Sequence, residues 1–213
     1  METETAKGTG IRRVRLLLWL LVALALLGIA ALLFMHRAPV EGPQTQSTPV
    51  QTSFGGPFTL IGADGKPFPS SRLEGKPYAM YFGYTRCGDV CPTTLQRLVK
   101  LRQGAGGPDA LKIVFVTIDP ANDGPKEVGQ YAGLFNSPII GLTGSPAQID
   151  AVKKQYGIYS KPEPASGHDH AMTMIDHTAT VLLFDRGGKF VGTITSDEPD
   201  SDATAKLKRI AAA

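Results

Sequence analysis

The chain has 213 residues, with 22 Lys and Arg against 19 Asp and Glu, a formal charge of +3 and 42% apolar side chains. Residues 1–37 hold five of the basic and two of the acidic residues, so the rest carries seventeen of each. That balance excludes the basic field of a nucleic-acid binder and the acidic composition of a solvating tail.

Leu16 to Met35 contains no charge, proline or strongly polar side chain. As a helix it is long enough to cross a hydrocarbon core of about 30 Å. The run exceeds the apolar region of a cleaved signal peptide and lacks a small-x-small site beyond it, so it reads as a retained transmembrane anchor over residues 16–35. Lys7, Arg12, Arg13 and Arg15 precede it and only His36 and Arg37 follow closely. The positive-inside bias therefore keeps residues 1–15 in the cytoplasm and exports the rest. No transit segment rich in Arg and Ser precedes the span, which favours a bacterial inner membrane and a periplasmic C-terminal domain over a mitochondrial inner membrane. Residues 36–53, with Pro39, Pro43, Pro49 and many Gln, Thr and Ser, read as a flexible tether. Residues 54–213 are a comfortable length for one domain.

Within that domain GGPFTLIGADGKPF predicts a hairpin around Gly-Ala-Asp-Gly. Pro77 to Tyr84 is a nearly continuous apolar strand of the doubly buried kind. A helix follows, with Pro92 in its first turn and Leu95, Leu98 and Leu101 at helical spacing. Next come a buried strand at Leu111–Ile118, a helix at about Pro125–Phe135 and a short apolar run at Pro138–Leu142. Another helix is signalled by Ser145 as N-cap, Pro146 at its first position, and Ile149, Val152 and Tyr156 on one face. Thr178–Phe184 and Phe190–Thr195 read as strands joined by Asp-Arg-Gly-Gly, and a polar helix starts near Asp202. This order is that of a thioredoxin-like α/β sandwich.

The two cysteines, Cys87 and Cys91, straddle the junction between the first long strand and its helix. A helix N-terminus stabilises thiolates, so both pKa values are expected to fall. A disulfide between them is within reach, but closing so short a step constrains the unfolded chain little. The spacing C-x-x-x-C departs from the C-x-x-C of dithiol exchangers. Met80 and Tyr84 stand where a peroxiredoxin needs Pro and Thr. Two soft thiolates suit Cu(I) or Zn(II), and a third ligand would complete a low-coordinate copper site. Of the four histidines, His36 lies at the membrane edge. His168 and His170 sit in a loop, either solvated or forming an accessory copper-catching patch with Met172 and Met174. His177 precedes a strand whose leading loop faces the cysteine helix in a thioredoxin-like sheet, which makes it the candidate third ligand.

The sequence resembles the Sco/SenC family of copper proteins across anchor, tether and domain. The family run F-G-Y-T-x-C-P-D-V-C-P-T-T-L corresponds to Phe82–Leu95, D-P-x-R-D to Asp119–Asp123, and V-D-H-[ST] to Ile175–Thr178. Gly88 replaces a proline of that pattern and Asn122 an arginine. Glycine should loosen the loop between the cysteines. Asp119, Asp123 and Asp176 are expected to cap helices or turns, with Asp176 alternatively near the site. The resemblance implies Cys87, Cys91 and His177 as ligands of one copper ion, Cu(I) with Cu(II) as the second state. It implies a membrane-tethered metallochaperone that helps assemble the dinuclear copper centre of cytochrome c oxidase subunit II. An exported thiol reductant and a copper-donating chaperone are the further partners. The alternative is an enzyme, a thiol-disulfide oxidoreductase that reduces the subunit II cysteines.

Overall fold

The computed structural model describes residues 8–35, 54–162 and 175–213, and the chain divides into two compact units at Val50. In the first, α1 (Gly8–Met35) begins eight residues ahead of the apolar run read from the sequence. Val14–Leu32 within it has a mean hydropathy of 2.5 and buries no side chain. It is long and apolar enough to cross a membrane.

The second unit opens with the expected hairpin, β1 (Thr59–Gly62) antiparallel to β2 (Pro67–Pro69). Gly65 supplies the left-handed residue of its turn at φ +73°. A short 3-10 turn (Ser70–Leu73) leads to β3 (Tyr78–Gly83), which is buried at all six positions, as befits an interior parallel strand. Then follow α2 (Val90–Gly104), β4 (Lys112–Thr117), α3 (Pro125–Gly133), β5 (Ile139–Thr143) and α4 (Pro146–Gln155). Ser145 caps α4 as expected, in a reciprocal capping box with Gln148.

The sequence reading departs from the structure after α4. A separate ribbon, β6 (Ser160–Pro162) against β7 (Ile175–His177), had not been anticipated. The strand expected from Thr178 starts three residues later, as β8 (Val181–Phe184). Thr178 is diverted because its N–H donates to the Tyr159 carbonyl at 3.1 Å while its hydroxyl accepts from the Tyr159 N–H at 3.1 Å. β9 (Phe190–Ile194) then forms the second hairpin, and α5 (Asp200–Ala212) begins just after Pro199, slightly ahead of the expected Asp202.

The main sheet has the order β2-β1-β5-β4-β3-β8-β9, with β3, β4 and β5 parallel and the flanking pairs antiparallel. β3 lies at its interior, and alternate residues point to opposite faces. Phe82 meets Tyr156 beyond α4, while a side chain at Gly83 would point at Cys91 on α2.

α3 crosses β5 at Gly141, where a Cβ would lie 2.6 Å from the Val128 carbonyl oxygen. Backbone cannot yield as a flexible side chain does, so Gly141→Ala is expected to destabilise the domain by about 2 kcal/mol. Denaturant unfolding should show a lower midpoint with an unchanged slope.

Candidate metal centre

β3 delivers the chain to the site. After Gly83 a tight turn, in which the Cys87 N–H donates to the Tyr84 carbonyl at 3.2 Å, leads into α2. Asp89 occupies the N-cap position of α2 but makes no side-chain cap. Instead the Cys91 N–H donates to the Cys87 sulfur at 3.4 Å, so a sulfur satisfies one of the orphan amides of the helix start. Pro92 falls in the first turn, where its missing N–H costs nothing. Both cysteines are free thiols, Cys87 half-buried and Cys91 fully buried.

Their acidities diverge. For Cys87, burial alone would raise the pKa, but the amide and thiol of Cys91, the Asp89 amide and the Tyr84 hydroxyl together outweigh it and the pKa is lowered. For Cys91, burial dominates and pushes the pKa up to about 12, with the Cys87 sulfur adding to the rise. The expectation that the helix start would acidify both thiols therefore fails for Cys91, because complete desolvation of a thiolate outweighs the dipole.

His177 ends β7. Its Nε2 lies 3.5 Å from the Cys91 sulfur, and its Nδ1 lies 3.1 Å from the Thr178 carbonyl oxygen. A carbonyl can only accept, so Nδ1 carries the proton and the Nε2 lone pair faces the thiol. Burial lowers the His177 pKa against the opposing pull of the Thr178 carbonyl and the Asp176 charge, which keeps the ring neutral and basic at Nε2. Tyr81 and Tyr84 box the imidazole edge-on, with centroids at 6.1 and 6.0 Å. Two donors bound about 2.0–2.3 Å from one tetrahedral ion lie about 3.5 Å apart, the separation that the Cys91–His177 pair already has. Cys87 does not complete that pair into a ready cage. Among the described residues no three His, Cys, Asp or Glu side chains are gathered as a metal group.

Residues that the sequence reading did not assign to the site hold it together. The Tyr84 hydroxyl accepts from the Ile175 N–H at 3.3 Å and pins β7 beside the cysteine loop. Asp123, wholly buried, accepts from the Thr85 N–H at 2.9 Å, the Thr85 hydroxyl at 2.5 Å and the Thr117 hydroxyl at 2.6 Å. It does not cap α3, whose N-cap position is taken by Gly124. Asp119 closes a turn through its backbone carbonyl, while its carboxylate pairs with Arg86 at 2.8 Å and accepts from the Asn122 side-chain amide at 3.0 Å. Asp176 is exposed, and its carboxylate caps no helix or turn among the described residues. His36, His168, His170, Met172 and Met174 lie outside the described residues.

Residues 46–212 match the SCO1/SenC family. The chain belongs to that family. It is 33% identical over 158 residues to the mitochondrial protein SCO2 of Saccharomyces cerevisiae, covering 73% of this chain and 52% of that one. It is 30% identical over 185 residues to an SCO2-like protein of Rickettsia prowazekii, covering 86% and 89%. The chain thus spans about half the length of the yeast relative. Among solved structures, copper-bound ScoI of Bradyrhizobium japonicum superposes with a TM-score of 0.65 at 35% identity, over 74% of this chain and 99% of the other. Copper-bound ScoI of Arabidopsis thaliana gives 0.67 at 30% identity, over 73% and 96%. The thioredoxin-like fold read from the sequence is the fold of these SCO1/SenC neighbours.

The opposed acidities set an order of reactivity. At neutral pH an alkylating reagent is expected to label Cys87 well before Cys91, because the lowered pKa leaves more thiolate at Cys87 while Cys91 stays protonated until the pH approaches 12. Peptide mapping by mass spectrometry after timed iodoacetamide treatment measures both rates; equal labelling would contradict the assignment.

Proposed function

We propose that the chain binds one copper ion through Cys87, Cys91 and His177 and passes it on during assembly of the dinuclear copper centre of cytochrome c oxidase subunit II. The observation that carries this reading is the Cys91–His177 contact at 3.5 Å, with the imidazole proton committed to Thr178 and the lone pair turned to the sulfur. Soft thiolates favour Cu(I), and imidazole accommodates either oxidation state. The copper-bound relatives support the choice of metal. In this reading residues 16–35 anchor the chain in a bacterial inner membrane, residues 1–15 stay in the cytoplasm, residues 36–53 tether, and residues 54–213 carry copper in the periplasm. Tethering raises the local concentration of carrier beside another membrane protein. Loading needs both thiols reduced, so an exported thiol reductant and a copper donor act upstream.

Competition with a chromophoric Cu(I) chelator tests the ligand set on the reduced full chain. One equivalent of copper is expected, and His177→Ala should weaken binding at least about 100-fold, or about 2.7 kcal/mol. Because Cys91 keeps its proton up to about pH 12 and must lose it to ligate, apparent affinity should rise by about tenfold per pH unit for that one proton and fall in acid. Unchanged copper binding by His177→Ala would refute the three-ligand site.

A second reading rests on the divergent thiols. The half-buried, acidified Cys87 has the character of an attacking thiolate and Cys91 that of a resolving thiol. Attack of Cys87 on a subunit II disulfide releases one thiolate of that protein. Cys91 then attacks the mixed disulfide, releases the second, and leaves this chain oxidised at Cys87–Cys91 for the exported reductant to restore. Cys91→Ser should trap the mixed disulfide with an oxidised subunit II peptide. Exchange by the unaltered chain no faster than that of a small free dithiol would dismiss the reductase.

A further inference from the structure

At the other end of the parallel strands from the cysteines, about 17 Å along β3 and β4, lies an open cavity of about 630 Å³ whose walls include Lys76, Arg102 and Lys112. Arg102 is 1% exposed and the largest fully buried side chain among the described residues. One terminal nitrogen of its guanidinium donates to the carbonyls of Pro138 at 2.9 Å and Leu111 at 3.4 Å, and the other to the Ser137 hydroxyl. Its Nε is buried without any acceptor, and no carboxylate lies within ion-pair distance of it among the described residues. A guanidinium shut from water without a counter-charge is an electrostatic liability, which neutral carbonyls offset only in part.

The surroundings add to the excess. Lys112 donates to the Arg72 carbonyl at 2.7 Å and sits among like charges, its pKa lowered first by burial and then by Lys76 and Arg72. The acids at hand are Glu74 and Asp109, and Asp109 is almost fully exposed, meeting Lys76 at 3.1 Å on the rim. Lys76, Arg102 and Lys112 against Glu74 and Asp109 leave one positive charge uncancelled in the cavity wall, and Arg72 adds to the field felt by Lys112, so the cavity favours an anion. The two ammonium groups are donors that phosphoryl oxygens select, and the buried guanidinium behind them adds positive charge to the wall.

We infer that this cavity, walled by Lys76, Arg102 and Lys112, is a binding site for a phosphoryl group, separate from the metal centre. A free phosphate or phosphate ester and a phospholipid headgroup share that chemistry.

The test uses the full chain in uncharged maltoside micelles, titrated with inorganic phosphate at constant ionic strength and compared with chloride. One saturable equivalent and a raised thermal midpoint are expected with phosphate alone. Lys76→Met and Lys112→Met should each weaken phosphate binding at least tenfold while unfolding in chloride as the unaltered chain does; these exposed and half-buried lysines carry the test because replacing the buried Arg102 would disturb the fold. Soluble short-chain phosphatidylglycerol that displaces the phosphate assigns a headgroup, and failure to displace it assigns a free phosphate or ester; both outcomes uphold a phosphoryl site. Phosphate and chloride giving the same response, or lysine variants binding as the unaltered chain does, would overturn the inference.

Discussion

The site depends on one contact between groups 86 residues apart, a buried thiol at the start of α2 and a neutral imidazole at the end of β7. The two partners are held very differently. Cys91 is fixed from below, since α2 follows β3 directly and Gly83 brings the strand so close that a Cβ there would lie 2.9 Å from the Cys91 sulfur. His177 belongs to a three-residue ribbon outside the main sheet, and ribbons of that size have little stability of their own. Its position is therefore borrowed: from Tyr84, whose hydroxyl takes the Ile175 N–H, from the reciprocal bonds between Thr178 and Tyr159, and from the aromatic edges of Tyr81 and Tyr84.

Asp123 performs the equivalent service for the cysteine loop. A buried carboxylate without a cation is tolerable only when its oxygens are filled by donors, and here Thr85 and Thr117 fill them, while the Asp123 carbonyl accepts from the Thr143 hydroxyl at 2.6 Å. Three loops at one end of the sheet are thereby tied together, two residues ahead of Cys87. The neighbouring Asn122, which replaces an arginine of the family pattern, does not leave Asp119 without a cation. Arg86, directly before Cys87, reaches across at 2.8 Å, and the Asn122 amide bridges both carboxylate oxygens. The cationic partner of that aspartate comes from the cysteine loop itself.

Much of this was legible in the chain. Hydrophobic runs located β3, β4 and the two hairpins because doubly buried strands tolerate no polar interruption, and Ser145-Pro146 announced α4 through cap chemistry that is local by nature. The candidacy of Cys87, Cys91 and His177 could also be read, from residue type and from the edge of a predicted strand. The β6–β7 ribbon could not, because three-residue strands carry no readable periodicity and the bonds that flank their pairing join Tyr159 to the amide and hydroxyl of Thr178, 19 residues away. Nor could the divergence of the thiols: both sit at the same helix start, and the burial of Cys91 together with the donors gathered on the Cys87 sulfur separates them. Asp123 was misassigned to a cap for a related reason, since the sequence shows its neighbours in the chain but not Thr85, 38 residues earlier.

The same asymmetry bears on how the proposed copper site would release its cargo. A carrier must hold its ion with donors that let go one at a time, since transfer by ligand exchange exposes a position for the incoming ligand at each step. Cys91 and His177 already stand at the separation of two donors sharing an ion, and Cys91 is packed tightly against Gly83. Cys87 is the arm left free, and Gly88 beside it meets nothing within 4 Å, so no steric demand placed glycine there. Where the family pattern has proline, glycine removes the fixed φ and lets the arm swing. If the three residues hold copper as proposed, the exchange would have a direction: Cys87 would leave first, because its lowered pKa makes it the weaker base of the two sulfurs, and Cys91 with His177 would keep the ion until an acceptor had formed its first bond.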